Sequence, residues 1–129
     1  MARITVVNDN PEFLELIGDI LRDERYETTL VDGDRPGTYE EVRRSEPDLL
    51  VIDLRMGTDE YEGWSIVRRM REEPRFRRLP IVIVTADVPG LHSLEAELSG
   101  APLVATLTKP FEIDELTRTL EKLLKQEVG

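Results

Sequence analysis

The stretch LLVID, residues 49–53, is a short apolar run that ends on a carboxylate. Two other runs have the same apolar character, ITVV at 4–7 and PIVIVTA at 80–86. Continuous apolar runs of this length are typical of strands that are buried on both faces, as in a parallel sheet. YETTLV at 26–31 and LVATLT at 103–108 are enriched in β-branched residues and complete a set of five predicted strands.

Helical patterns separate these strands. The first begins after Asn10, which can cap a helix, with Pro11 in its first turn, and it runs to about Glu24. Further helices are predicted at 38–45, 63–73 and 91–98, and from 113 onward. This alternation predicts an α/β fold, a doubly wound five-stranded parallel sheet in the order 2-1-3-4-5 with flavodoxin-like topology.

Length and charge limit the function classes. The chain has 129 residues and a formal net charge of −10, with no cysteine. We expect one domain over residues 1–129 and no effector domain. The negative charge disfavours direct binding to nucleic acid or to an anionic membrane. The lack of cysteine excludes disulfides and thiolate chemistry, and no stretch has the roughly 18 apolar residues of a membrane span, so we expect a cytoplasmic protein.

Polar residues follow four of the predicted strands at their carboxyl ends. Because parallel strands end at one edge of the sheet, Asp9, Asp53, Thr85 and Lys109 are expected to converge there. A carboxylate can attack a phosphoryl donor when its own charge is neutralised, and Mg²⁺, an ammonium and a hydroxyl can do this. Asp53 is therefore the candidate nucleophile and Asp9 the candidate metal ligand. Lys109 is the candidate counter-charge, and Thr85 is the candidate hydrogen-bond donor.

Four motifs at these strand ends, VVNDNP, LLVIDLRM, IVIVTA and TKPF, together resemble the signature of response-regulator receiver domains of two-component signalling. The resemblance extends from Ile4 to about Lys125. It implies that Asp53 accepts a phosphoryl group from a histidine kinase or a phosphotransfer protein. It also implies that Mg²⁺ lies between Asp53 and the residues Asn8 and Asp9.

The same resemblance implies a stand-alone phosphorelay switch that signals by altered binding to an output protein. Such a phosphoprotein is not a turnover enzyme, and its chemistry is limited to Mg²⁺-dependent self-phosphorylation and self-dephosphorylation. We expect a monomer or a phosphorylation-dependent homodimer.

Asn8 departs from the family pattern, which usually has an acid at this position. The metal site therefore lacks one negative charge, and a nearby charge can be worth about 4 kcal/mol at 4 Å and an effective dielectric constant of about 20. An asparagine oxygen can still hold a water molecule. We expect Asn8 to contact Mg²⁺ through water and the site to bind the ion weakly.

Three further positions depart from the family pattern or are predicted to tune the site. The resemblance gives Arg55 two roles, a backbone carbonyl that binds the metal and a side chain that tunes the phosphoryl lifetime. Asp87, two residues after Thr85, is the predicted partner of the Arg55 side chain. Thr106 occupies the position of the family's aromatic switch residue, so Thr85 and Thr106 form the predicted switch pair.

Three other interpretations remain open at this point. A degenerate receiver would act as a phosphorylation-independent protein-interaction domain, and a loss of Mg²⁺ affinity would favour it. A flavin-binding carrier would hold a phosphate in the first loop, although NDNPE has two acids and no glycine. A metal-dependent phosphohydrolase would need a second acid shortly after Asp53, where the sequence has LRM.

Overall fold

The computed structural model describes residues 2–33, 37–54, 62–100 and 103–128. These residues contain a five-stranded sheet in the order β2-β1-β3-β4-β5, in which every neighbouring pair is parallel. The strands are β1 (Arg3–Asn8), β2 (Glu27–Asp32), β3 (Leu49–Ile52), β4 (Ile81–Thr85) and β5 (Val104–Thr108). The predicted fold class and strand order are confirmed.

The helices cover both faces of the sheet. They are α1 (Pro11–Asp23), α2 (Thr38–Ser45), α3 (Glu62–Glu72), α4 (Val88–Ser93), α5 (Glu95–Gly100) and α6 (Ile113–Val128), with a 3-10 turn at Pro74–Phe76. Asn10 caps α1 as predicted, because its side-chain oxygen accepts hydrogen bonds from the backbone N–H groups of Glu12 and Phe13. None of the described helices is long and apolar enough to cross a bilayer.

The predicted single helix at 91–98 is wrong, because two short helices replace it. The first, α4, starts earlier than the apolar pattern indicates, since the Asp87 carboxylate caps it by accepting from the N–H of Gly90 at 3.0 Å. It ends at Ser93, and the N–H of its C-cap residue Leu94 donates to the carbonyls of Gly90 and Leu91. The next helix, α5, begins at Glu95. Capping chemistry, rather than hydrophobic spacing, sets these boundaries.

Two hydrophobic clusters explain why the central strands are continuously apolar. In β3, Leu50 and Ile52 pack into the cluster under α2 and α3, whereas Leu49 and Val51 pack into the cluster under α1 and α6. Alternate residues of a strand point to opposite faces, so a strand covered on both faces needs apolar side chains at every position. The sheet is thereby fixed between two helical layers, and its carboxyl edge is held in place.

Gly63, near the start of α3, packs directly against the backbone of Asp53. A Cβ atom added at this glycine would lie 1.8 Å from the Asp53 carbonyl oxygen and 2.8 Å from its carbonyl carbon. The N–H of Gly63 also donates to the carbonyl of Leu54 at 3.1 Å. The close approach of α3 therefore fixes the chain just after β3.

The Gly63→Ala variant is expected to lose about 2–3 kcal/mol of unfolding free energy, because the new methyl group must displace backbone atoms. Urea denaturation followed by circular dichroism measures this loss. Gly37→Ala is the matched control, since Gly37 has a φ of 84° and nothing within 4 Å of an added Cβ. We expect this control to lose about 1 kcal/mol through backbone strain alone. Equal losses in the two variants would contradict the close packing at Asp53.

Candidate functional site

Three of the four residues predicted to converge line one cleft at the carboxyl edge of the sheet. Asp53 directly follows β3, Thr85 ends β4, and Lys109 directly follows β5. With Ala86 and Asp87 they line a cleft of about 380 Å³. The backbone N–H of Lys109 donates to the carbonyl of Thr85 at 2.9 Å, which ties the two strand ends together. The predicted convergence is present for Asp53, Thr85 and Lys109.

An ion pair links the two charged members of this cleft. Lys109 Nζ lies 3.0 Å from Asp53 Oδ2 and donates a hydrogen bond to it. Asp53 is only 8% exposed, and a carboxylate so nearly buried needs a partner for its charge. Lys109 supplies that partner across 56 residues of sequence.

Asn8 supplies a second donor to the same carboxylate oxygen. Its Nδ2 donates to Asp53 Oδ2 at 3.2 Å, and its Oδ1 accepts from the backbone N–H of Asn10 at 2.9 Å. A backbone N–H can only donate, so the amide oxygen must face Asn10 and the amide nitrogen must face Asp53. Asn8 therefore directs a donor, rather than a metal-binding oxygen, at the candidate nucleophile.

The other predicted site residues, Asp9, Asp87 and Arg55, each have a different place relative to this cleft or to the described residues. Asp9 is exposed at the end of β1, next to Asn8. Asp87 caps α4, and its backbone N–H donates to Thr85 Oγ1 at 3.1 Å. A hydroxyl that accepts one hydrogen bond can still donate one. Arg55 lies outside the described residues, so its pairing with Asp87 and its backbone role stay predictions.

Thr106 lies on β5 and lines a different cleft. It is exposed, and it pairs with Ile83 in the sheet, two residues before Thr85. Its cleft of about 430 Å³ is also lined by residues of α4, α5 and β5: Val88, Leu91, His92, Leu98, Val104 and Thr108. The short threonine leaves this space unfilled. The role of Thr106 in a switch stays a prediction.

Phe13 is a residue at this site that sequence reasoning missed. The ammonium of Lys109 lies 4.3 Å from the centroid of the Phe13 ring, within the range of a cation–π interaction. Its spacing with Ile17 and Leu21 is that of a core-facing residue of α1, so the pattern gave it no functional role. The available signal was its place in the first turn of α1, close to the edge where Asp53 lies.

The carboxylates at this edge of the sheet provide some, but not all, of the ligands that a magnesium ion needs. Mg²⁺ prefers oxygen ligands and is usually held by one or two carboxylates, water and substrate phosphate. Asp9 and Asp53 can provide two such groups at the ends of neighbouring strands. Within the described ranges, no cluster of three or more acidic, histidine or cysteine side chains forms a metal site. A site of this kind therefore depends on the two carboxylates, on water and on the phosphoryl oxygens.

The comparisons with known proteins establish the family. The chain matches the family model of the response regulator receiver domain over residues 4–121, and it belongs to this family. The transcriptional regulatory protein BaeR of Escherichia coli O6:H1 is 34% identical over 126 residues, covering 96% of this chain and 48% of that protein. The virulence transcriptional regulatory protein PhoP of Salmonella typhimurium is 28% identical, covering 100% of this chain and 54% of that protein. The chain spans about half the length of these curated relatives.

Solved structures of receiver domains share the architecture. The receiver domain of the sensor histidine kinase PA1611 of Pseudomonas aeruginosa has a TM-score of 0.77 and 30% identity, over 96% of this chain and 98% of that one. That structure has a magnesium ion coordinated in its active site cleft. The chemotaxis response regulator CheY4 of Vibrio cholerae has a TM-score of 0.79 and 23% identity, over 95% of this chain and 98% of that one, and it shares the fold.

The Asn8→Asp variant is expected to be less stable than the wild type without metal, by about 2 kcal/mol or more. The change removes a hydrogen bond to Asp53 and places a second negative charge beside it. Added Mg²⁺ should raise the melting temperature of the variant more than that of the wild type, because the new carboxylate attracts the ion. Thermal unfolding in chelator and in Mg²⁺ measures both effects.

Asn10→Asp is the matched control for this charge change. It adds the same negative charge two residues away, and aspartate caps a helix as well as asparagine does. Its melting temperature in chelator should stay close to that of the wild type. If both variants lose the same stability, Asn8 is not a donor to Asp53. If Mg²⁺ stabilises the wild type as much as Asn8→Asp, the asparagine does not weaken the metal site.

Proposed function

We propose that this receiver domain is a phosphoacceptor switch in a two-component phosphorelay. Asp53 accepts a phosphoryl group from a histidine kinase or a phosphotransfer protein, and the phosphorylated domain binds an output protein differently. The observation that carries the proposal is the ammonium of Lys109 at 3.0 Å from the Asp53 carboxylate, in a cleft that also holds Thr85. This arrangement provides a nucleophile, a positive charge and a hydroxyl donor at one point.

The chemistry follows from these three groups. An Asp53 carboxylate oxygen forms a bond to phosphorus, the bond from phosphorus to the histidine nitrogen of the donor breaks, and the imidazole keeps the electron pair. Lys109 then moves from the carboxylate to the phosphoryl oxygens, and the Thr85 hydroxyl donates to one of them. The product is an acyl phosphate on Asp53. Its formation and hydrolysis are the only reactions assigned to this domain, which is not a turnover enzyme.

A magnesium ion, when bound, supplies charge neutralisation that lets a carboxylate meet a phosphoryl group. Asp9 and Asp53 would hold it directly. The backbone carbonyl of Arg55 is a further ligand by resemblance to the family. A contact of Asn8 with the ion through water would require its amide oxygen, which accepts from the N–H of Asn10, to accept a second hydrogen bond. We expect weak binding in the absence of phosphate, because Asn8 adds no negative charge.

The names of the relatives support the proposal that this domain acts in signal transduction. BaeR and PhoP are named transcriptional regulators, and the PA1611 receiver belongs to a sensor histidine kinase. The net charge of −10 of this chain makes a protein, rather than nucleic acid or a membrane, the better output partner. We expect a cytoplasmic domain that is monomeric or that dimerises on phosphorylation.

A degenerate receiver is the second candidate function. Asn8 directs an amide donor at Asp53, so the metal-free carboxylate already accepts from both Asn8 and Lys109. A domain in this state could bind a partner protein without phosphorylation. The two candidates differ in whether Asp53 reacts.

The Asp53→Asn variant separates these candidates. Incubation with Mg²⁺ and a small phosphodonor such as acetyl phosphate should add one phosphoryl group to the wild type, detected by intact-protein mass spectrometry. Asp53→Asn should gain none, because an amide is not a nucleophile towards phosphorus. Asp19→Asn, at an exposed position on α1, is the matched control and should react like the wild type. A wild type that stays unmodified, or equal labelling of Asp53→Asn, would favour the phosphorylation-independent function.

A further inference from the structure

Five residues at the cleft form a closed circuit of contacts. Asn8 donates to Asp53 Oδ2 at 3.2 Å and accepts from the N–H of Asn10 at 2.9 Å. Asn10 Oδ1 accepts from the backbone N–H of Phe13 at 3.3 Å. The Phe13 ring centroid is 4.3 Å from Lys109 Nζ. Lys109 Nζ in turn donates a hydrogen bond to Asp53 Oδ2 at 3.0 Å, which closes the circuit. Two asparagines and one aromatic ring thus connect the first loop to both charged groups of the site.

We propose that Phe13 is a positioning residue, which holds the ammonium of Lys109 over Asp53. This inference rests on the function proposed above and concerns how the same site is organised. A lysine side chain has four flexible bonds and loses much rotamer freedom when its end is fixed. The electron-rich face of Phe13 attracts the ammonium from one side and Asp53 attracts it from the other. The positive charge is therefore in place before a phosphoryl group arrives.

Phe13 is itself held from two directions. Its backbone N–H is fixed by the Asn10 cap at the start of α1. Its ring meets Phe111 edge-on, with centroids 6.4 Å apart and an interplanar angle of 78°, a favoured geometry for aromatic pairs. Phe111 follows Lys109 by two residues, so the connection from β5 to α6 provides both the lysine and a support for the ring. A ring fixed in this way can restrict where the ammonium goes.

The position of Phe13 also predicts a selective effect on ligand binding. Its contact is with the ammonium, whereas the predicted metal ligands are the carboxylates of Asp9 and Asp53. Removing the aromatic face should therefore weaken binding of a phosphoryl group or its mimic and leave Mg²⁺ affinity nearly unchanged. A residue that only fills space in α1 would not separate these two affinities.

The first test is nuclear magnetic resonance of the Lys109 side chain in the metal-free protein. The chain has three lysines, and Lys122 and Lys125 both lie on α6, so carbon-13 labelling of lysine gives few signals. The Lys109 protons next to Nζ should be shifted upfield by the ring current of Phe13. Phe13→Leu should remove this shift, and Phe13→Tyr should keep it. Lys109 signals at ordinary positions in the wild type would overturn the proposal.

The second test is calorimetric binding of beryllofluoride, a mimic of the acyl phosphate, in saturating Mg²⁺. Phe13→Leu should raise the dissociation constant about two- to fivefold, the size expected for one exposed cation–π contact. Phe13→Tyr should bind like the wild type, and Mg²⁺ alone should bind all three proteins within about twofold of one another. Phe111→Leu keeps the ring face over Lys109 and should weaken binding less than Phe13→Leu does.

The outcomes separate this inference from the proposed function. If the wild type fails to bind beryllofluoride, the phosphoacceptor function fails, and the ring-current shift still decides whether Phe13 holds Lys109. If the wild type binds it and Phe13→Leu binds it equally well, the positioning role is overturned and the function stands. An equal loss in Phe13→Leu and Phe13→Tyr would also overturn the role, because tyrosine retains the aromatic face.

Discussion

The site depends on one constraint: the Asp53 carboxylate is almost buried at the end of a strand and its charge must be balanced there. A buried charge without a partner is strongly destabilising. Lys109 and Asn8 provide the balance by donating to the same oxygen at 3.0 and 3.2 Å. The parallel sheet makes this possible, because it brings the ends of β1, β3 and β5 to one edge. Parallel pairing thereby brings these side chains together from distant parts of the sequence.

The asparagine at position 8 follows from the same constraint. A third acid beside Asp9 and Asp53 would attract a cation more strongly, but it would also repel the other two carboxylates when no cation is bound. Asn8 avoids that repulsion and adds a hydrogen bond to a charged group, which is a stronger bond than one between neutral groups. The metal-free site is therefore ordered by the protein itself. A Mg²⁺ ion bound at this site would meet one fewer negative charge.

Sequence patterns predicted the sheet because its central strands are covered on both faces, so Leu49–Ile52 had to be apolar at every position. The strand-end residues followed from parallel pairing. The break at Leu94 was not predictable in the same way, because the Asp87 cap and local hydrogen bonds set it rather than periodicity. The role of Phe13 was not predicted either, because hydrophobic spacing does not distinguish a ring in the core from one that contacts an ammonium. The orientation of Asn8 was not predicted because a sequence does not show which amide atom faces a carboxylate.

The most direct test of this account is a crystal structure of the protein grown with Mg²⁺ and saturating beryllofluoride. The account predicts beryllium bonded to an Asp53 carboxylate oxygen, with fluorine atoms about 3 Å from Lys109 Nζ and from Thr85 Oγ1. It also predicts that Lys109 has left the carboxylate for the fluorines while its contact with the Phe13 ring remains. A structure in which Asp53 carries no beryllofluoride, and still accepts hydrogen bonds from Lys109 and Asn8, would contradict a phosphoryl switch at this site.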